Sequence, residues 1–515
     1  MAIESLMRND VNTLLMILFS ALLVCPSLAL VINCIAGRKK AVLGARLASC
    51  FVGFGFLTGL VLLSCLAFSA TPVTYLFFGF NTLGMLLCTL ILFVSFVVHR
   101  FSIRYMDGDR LFSRYFITLA AITISAVVMV LADNLFLFWF SWSLSNLFLI
   151  MLMVHKSQWP AAKNSGWLTL HTLLPGSLSL LIAFILISLN TDTMSIQELT
   201  QQPNSISTPI LSLAMGLITL TALTQSALWP FHRWLISSLN SPTPVSALMH
   251  AGLVNGGGIL IVKFAPLFAM HKGILTVLFI LGALSALLGT VWKLMQSDIK
   301  RMLACSTLAQ MGFMIMQCGL GLFAAAIAHL CWHGLFKAYL FLSSGSAVAQ
   351  KRYENRQSAR PAPFALSCIG GVLAMLAFAY STGKPLLSLQ VTSFLLVFAF
   401  IAGTQLMLAL VANQWHTKRI MIGLIMAFLS GVLYGGSIRL IESLIPNLTL
   451  FYAHQLSMVH VLVLVLFLAL WLLFNLGLLK KINQSTLWCW LYMTLMNASQ
   501  PDPKTITTSR TSYHY

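Results

Sequence analysis

Apolar runs of about 20 residues succeed one another along almost the whole chain, separated by short clusters of charged residues, Asn, Gly and Pro. A helix of that length crosses the ~30 Å hydrocarbon core of a bilayer. The runs fall at 11–36, 44–70, 73–98, 113–131, 134–154, 167–189, 209–229, 244–265, 274–292, 302–320, 323–349, 363–380, 389–412, 420–438 and 456–479. They predict an all-α polytopic membrane protein with about 13–15 transmembrane helices.

One stretch breaks the pattern. The run 209–229 leads into Trp229-Pro230-Phe231-His232-Arg233-Trp234, then Ser241-Pro242-Thr243-Pro244, then Asn255-Gly256-Gly257-Gly258. Proline removes a backbone donor and glycine loosens packing, which predicts broken helices whose freed backbone groups water or ions can use. A kinked helix packed tightly through its glycines is the alternative.

Composition changes the picture only in confirming the solvent. The 515 residues are 59% hydrophobic and 8% charged, far from the ~25% charged of soluble domains. A net charge of +19 raises the question of nucleic acid, and the placement of the cations answers it. With the N-terminus outside, alternate loops and span ends hold 24 Lys and Arg against five in the opposite set, and Lys337, within a span, completes the 30. That is the positive-inside asymmetry, with a cytoplasmic C-terminus and no nucleic-acid partner. The first span is too long for a signal h-region, so no cleavable leader is expected.

Several chemistries find no support. The ten Cys form no CxxC or Cys/His ligand pattern. Walker, dinucleotide and nucleophile-elbow motifs are missing, so neither ATP-driven transport nor an enzyme activity is expected, and no cofactor is assigned to the chain. The 11 acids fall almost entirely in loops or at span ends, which leaves no obvious mid-membrane carboxylate relay.

The basic and imidazole side chains are more informative. His329, His333 and Lys337 stand at i, i+4 and i+8 in an apolar run and therefore share one helix face. Ionisable groups in hydrocarbon are costly and tend to face a protein interior or a water-filled path, so an ion pathway through these three is the first expectation. Histidines hydrogen-bonded in a core, and a lysine fixed on a carbonyl, are the structural alternatives. His250 and His171 are further pathway candidates; His232 and Arg233 are candidates for docking a cytoplasmic partner. Trp139 and Trp142 read as packing aromatics.

Ser241–His250, Ser297-Asp298-Ile299-Lys300-Arg301-Met302-Leu303-Ala304-Cys305-Ser306-Thr307 and the run from His329 to Ser344-Gly345-Ser346 resemble the NuoL-type antiporter family of respiratory complex I and Mrp antiporters over roughly residues 100–350. The resemblance implies inverted five-helix repeats, broken helices and a polar central axis matching His250, His329, His333 and Lys337. Two positions depart from it. Trp142-Ser143 stands where the family has Trp-Glu, and Thr224-Gln225-Ser226-Ala227 where it has Gly-Lys-Ser-Ala. Neither Ser143 nor Gln225 carries charge, although both can hydrogen-bond a water chain or a neutral solute.

The block Gln225–Asn255, with the tail Asn497-Ala-Ser-Gln-Pro501 and Tyr513-His514-Tyr515, resembles more narrowly the DabB family, membrane subunits of inorganic-carbon accumulation systems. That resemblance implies a bacterial inner-membrane location and a DabA-like partner, a cytoplasmic zinc protein similar to β-carbonic anhydrases. The chain itself would supply a pathway for H+ or Na+. The implied organisation is N-terminal helices 1–110, repeats 111–270 and 271–440, and a C-terminal helix and tail 441–515. A subunit of an NADH dehydrogenase-like or multi-subunit Na+/H+ antiporter complex, and a non-conducting membrane anchor, are the competing functions. Lys384, His416, His454 and His460 are the candidates for a second half-channel.

Overall fold

The computed structural model describes the chain except residues 1, 38, 69–72, 203–206, 350–360, 387, 389, 413–415, 447, 449–454, 479–484 and 507–515. His454 and Tyr513-His514-Tyr515 therefore lie outside the described residues. Fifteen helical spans among those described are long and apolar enough to cross a membrane.

The chain opens with α1 (Ala2–Ala36) and α2 (Ala41–Phe68), packed side by side. The run 73–98, expected as one helix, divides. Val73–Tyr75 and Phe78–Phe80 pair as a short hairpin, β1 and β2, because aromatic and β-branched residues suit a pleated surface and Leu76 takes a left-handed turn at φ 54°. Asn81 then accepts from the Gly84 amide at 2.8 Å and starts α3 (Thr82–Tyr105).

Next come α4 (Phe112–Leu131), α5 (Leu135–Met153), α6 (Pro160–Ser188), the short α7 (Ile196–Gln201) and α8 (Thr208–Gln225). Helix α6 begins earlier than its apolar run, with proline at its first position, where no amide donor is needed. Helix α8 stops at Gln225, and Ala227 is left-handed at φ 52°. A single turn, α9 (Arg233–Ile236), precedes the interrupted span α10 (Thr243–Ala251) and α11 (Gly256–Lys263), separated by a tight turn at Leu253–Asn255. The expected break is present, and so is the tight glycine packing. A β-carbon on Gly257 would lie 2.4 Å from the Ala222 carbonyl, and one on Gly258 2.4 Å from Met314. Lys263 closes the end of α4 by donating to the carbonyls of Val130 (3.0 Å) and Ala132 (2.6 Å), where a cation meets the negative end of a helix.

After α12 (Ala265–Ala269), α13 (Lys272–Met295) and α14 (Ile299–Gly319) approach backbone to backbone. Gly282, Gly289, Gly312 and Gly319 line their contact, and a β-carbon on any of them would meet the other helix's backbone at 2.4–2.5 Å. Helix α15 (Phe323–Leu342) follows, then the three-helix group α16 (Pro361–Thr382), α17 (Thr392–Val411) and α18 (Thr417–Leu444), then the peripheral α19 (Met458–Asn475).

The chain then turns back. Helix α20 (Thr486–Ala498) has no buried residue, and the segment after it lies across the loops of the interrupted spans. Gln296 donates to Ser499 at 2.9 Å, Arg301 to Gln500 at 3.2 Å, Asn240 to the Thr505 carbonyl at 2.8 Å and Asn164 to that of Lys504 at 2.9 Å; the Asp502 amide donates to Ser237 at 3.0 Å. These contacts make residues 498–505 a strap over one end of the bundle.

Candidate ion pathway

Helix α15 inverts the usual rule for a soluble helix. Trp332, Phe336 and Tyr339 are exposed on its outer face, while His329, His333 and Lys337 are buried on the inner one. The protein interior is thus the polar side and the surroundings the apolar side, as a span that shields ionisable groups from lipid requires.

The inner face meets α14 and α10. Lys337 Nζ donates to the Leu303 carbonyl at 3.0 Å, and the Thr307 hydroxyl donates to the same carbonyl at 3.0 Å. With its proton committed there, Thr307 Oγ1 is left to accept, and His250 Nδ1 lies 3.1 Å from it. That assigns the proton of His250 to Nδ1. Lys337, the Leu303 carbonyl, Thr307 and His250 are therefore one hydrogen-bonded chain joining three helices. His250 is held against Phe341 by ring stacking at 4.3 Å and 12°.

The histidine rings extend the chain along α15. His329 and His333 stack at 6.0 Å, and Phe313 flanks His329 at 5.4 Å. The Nε2 atoms of both histidines are buried without a hydrogen-bond partner, and such groups are the natural sites for water or a transiting proton. One turn beyond Phe313, Gln317 donates to the Tyr434 hydroxyl at 3.0 Å. At the other end Lys300 Nζ lies 3.4 Å from the Ser241 carbonyl, and Ser241 bonds Ser246 at 2.9 Å, one turn before His250. Hydroxyls and imidazoles both donate and accept, so in this column from Lys300 to Gln317 the side chains of Ser241, Ser246, Thr307 and the three histidines are groups able to pass a proton in either direction, whereas the Leu303 carbonyl only accepts and joins Lys337 to Thr307 as their shared acceptor.

Gln225 belongs to a different structure. It exchanges two 3.0 Å hydrogen bonds with Asn146 and donates to the Leu253 carbonyl at 3.2 Å. Ser226 caps the Val254 carbonyl at 2.8 Å and Asn255 that of Ala251 at 2.7 Å. Side chains thus bond three of the carbonyls at the interruption, those of Ala251, Leu253 and Val254. Ser143 pairs with Ser177 at 2.5 Å, next to the Trp139 indole donor on the Ser177 carbonyl.

Three candidates stand apart from the column. His171 is exposed on α6, donating to the Trp167 carbonyl at 2.8 Å and lying over that indole. His232 is buried, with Nε2 3.4 Å from the Ala498 carbonyl and its ring 4.6 Å from Trp292. The chain's own strap covers it, whereas Arg233 is exposed. Burial holds the His232 imidazole below its ordinary range, opposed by the Ala498 carbonyl and reinforced by Arg233. In the second half, Lys384 pairs with Glu442 at 2.9 Å where α16 and α18 end. His460 forms a capping box with Ser457, and His416 caps α18 by position. Reading the sequence gave no pathway role to Lys300, Ser246 or Thr307, although the motifs that carry the family resemblance contain all three, and it passed over Asn146 and Gln317, since amides in apolar runs carry no individual signal.

A family model described as NADH:quinone oxidoreductase/Mrp antiporter, TM matches residues 132–415, more than half of the chain. This chain belongs to that family. A second model, for the N-terminus of complex I chain 5, matches residues 74–116. Among relatives, a probable inorganic carbon transporter subunit DabB1 of Halothiobacillus neapolitanus is 36% identical over 63% of this chain and 60% of its own length. A probable inorganic carbon transporter subunit DabB of Bacillus subtilis is 38% identical over 54% of this chain and 56% of its own. NADH-ubiquinone oxidoreductase chain 5 of Schizophyllum commune is 30% identical over 59% of this chain and 43% of its own. The matches thus span about two fifths to three fifths of these relatives' length. The fold is also that of a chain in the Mrp complex of a Dietzia species, with TM-score 0.58 and 22% identity, covering 94% of this chain and 52% of that one. A multi-pass antiporter-like membrane protein is the result.

Proposed function

We propose that this chain is the cation-conducting membrane subunit of a two-protein complex that uses an H+ or Na+ gradient to take up CO2 and accumulate bicarbonate. The observation that carries the conducting role is the buried chain from Lys337 through the Leu303 carbonyl and Thr307 to His250, continued by His333 and His329. An anchor has no need of such groups in hydrocarbon. The inorganic-carbon role is supported by similarity to the DabB subunits and by the uncharged Gln225 and Ser143, which stand where the resemblance to the complex I and Mrp antiporter family implies Lys and Glu. The partner in this reading is a DabA-like zinc protein on the cytoplasmic side, carrying the carbonic-anhydrase-like chemistry, and the membrane is the bacterial inner membrane with the C-terminus inside. The repeats 111–270 and 271–440 are the units we assign to its two halves.

The test is inorganic-carbon accumulation in cells expressing this chain with its partner. Accumulation that collapses when the ion gradient is dissipated at constant ATP supports the reading. Accumulation that persists without a gradient removes the conducting role and leaves the anchor.

A further inference from the structure

We propose that a cavity beside the interrupted span α10–α11 is a binding site for one small uncharged gas molecule of the size of carbon dioxide, which deepens, and rests on, the inorganic-carbon reading above. The cavity measures about 50 Å³ and lies between α3, α4, α5, α8, α10, α11 and α15. Its wall is mainly hydrocarbon, from residues such as Ile91, Ala126, Met129, Leu253 and Ile259.

The polar residues at its edge are already engaged. Ser95 bonds Thr123 at 2.6 Å, Thr123 donates to the Leu119 carbonyl at 2.8 Å and Ser145 to that of Trp142 at 2.8 Å. Gln225 is held by Asn146 and the Leu253 carbonyl. Asn255 differs from these: it is 1% exposed, its Nδ2 is used on Ala251 and its Oδ1 is buried without a partner.

That combination selects the ligand. A buried water needs two to four polar partners and a hard cation several oxygens, and one free acceptor supplies neither. Apolar cavities stay dry and take up apolar molecules such as xenon. Carbon dioxide has no net dipole, has a hydrocarbon-compatible outline and carries partial positive charge on carbon, which an amide oxygen such as Asn255 Oδ1 can face. Leu330 also lines the cavity and directly follows His329 in α15, so one helix contributes to both the cavity wall and the ion column, and none of the column's ionisable residues lines the cavity. The neutral residue Gln225 at the cavity edge fits this division, because a buried charge there would draw water into it.

Xenon is the probe. The complex in lipid nanodiscs, equilibrated with xenon, is expected to show one xenon atom in this cavity by structure determination. Ala126→Leu and Ile259→Phe fill it from two different helices, and each is expected to remove the xenon and lower carbon accumulation several-fold while the partner still copurifies. An empty or water-filled cavity in the xenon-equilibrated native complex overturns the proposal. So does a filled cavity, in either variant, with unchanged accumulation. Xenon bound in a native complex that moves no inorganic carbon instead overturns the carbon reading and leaves the gas site standing.

Discussion

Lys337 illustrates how one side chain's role is set by what it touches. Its ammonium rests on a backbone carbonyl that also receives Thr307, so removing it breaks the chain to His250 without leaving a buried partner charge. Lys337→Ala is therefore expected to abolish gradient-driven accumulation while the complex still copurifies. Lys337→Arg is expected to fail as well, because a guanidinium holds its proton at any working pH. Normal uptake in both variants would make the lysine structural. Gln225 leads to the opposite expectation. Gln225→Ala leaves the buried Asn146 amide without its two partners, a loss of about 1–3 kcal/mol that a lower melting temperature in detergent would register. The column was legible in the sequence as three ionisable residues at helical spacing. Thr307, its link to His250, was not, because a threonine in an apolar run reads as filler.

Elements carry two further expectations. Helices α13 and α14 touch through glycines whose β-carbon positions are occupied by the other helix's backbone. Gly312→Val should force the pair apart and leave little folded protein in the membrane fraction; wild-type yields would show that the pair can shift. The strap 498–505 is expected to be sensitive to the charge on His232. With the strap in place that imidazole is buried and its pKa held down, an effect the Ala498 carbonyl only partly opposes, so His232 is expected to bind a proton more readily once the strap has left and the ring is wet. Docking is then fully favoured above the ordinary histidine value of about 6.5 and weakens as pH falls below it. Amide exchange of residues 499–505, corrected for intrinsic rate, should rise between pH ~7.5 and ~5.5. His232→Phe keeps the stack on Trp292 and should flatten that response; an unchanged slope would place the titrating group elsewhere.

At the scale of the whole molecule the question is the energy source. Moving one charge across the membrane supplies about 2.3 kcal/mol per 100 mV, and the chain contains no nucleotide or redox motif to replace it. A protonophore or, for a sodium-coupled system, an ionophore that collapses the sodium gradient should stop accumulation with ATP held constant. Which of the two acts identifies the coupling ion. The Lys384–Glu442 pair bounds the second half. Replacing Glu442 by Gln tests whether that half conducts: a fall in accumulation with intact assembly supports it, and an unchanged rate confines conduction to the column from Lys300 to Gln317.

What the sequence determined by itself was local. Hydropathy set the length and number of the spans, because crossing a bilayer is a matter of apolar residues in a row. Helical spacing put His329, His333 and Lys337 on one face, and proline with glycine marked the interruption between α10 and α11. It did not determine which face turns inward, so His171 looked equivalent to His250 until α6 was seen to present it outward. Nor did it determine partners distant in the chain. Asn146 for Gln225, Thr307 for His250 and Ala498 for His232 lie 79, 57 and 266 residues away. The run 73–98 shows the same limit from the other side, since its hydropathy was uniform and only the turn at Leu76 and the cap at Asn81 divided it. Helix identity depends on neighbours a few residues off; a relay, a clamp or a cavity depends on which helices meet, and that is settled only by packing the whole bundle.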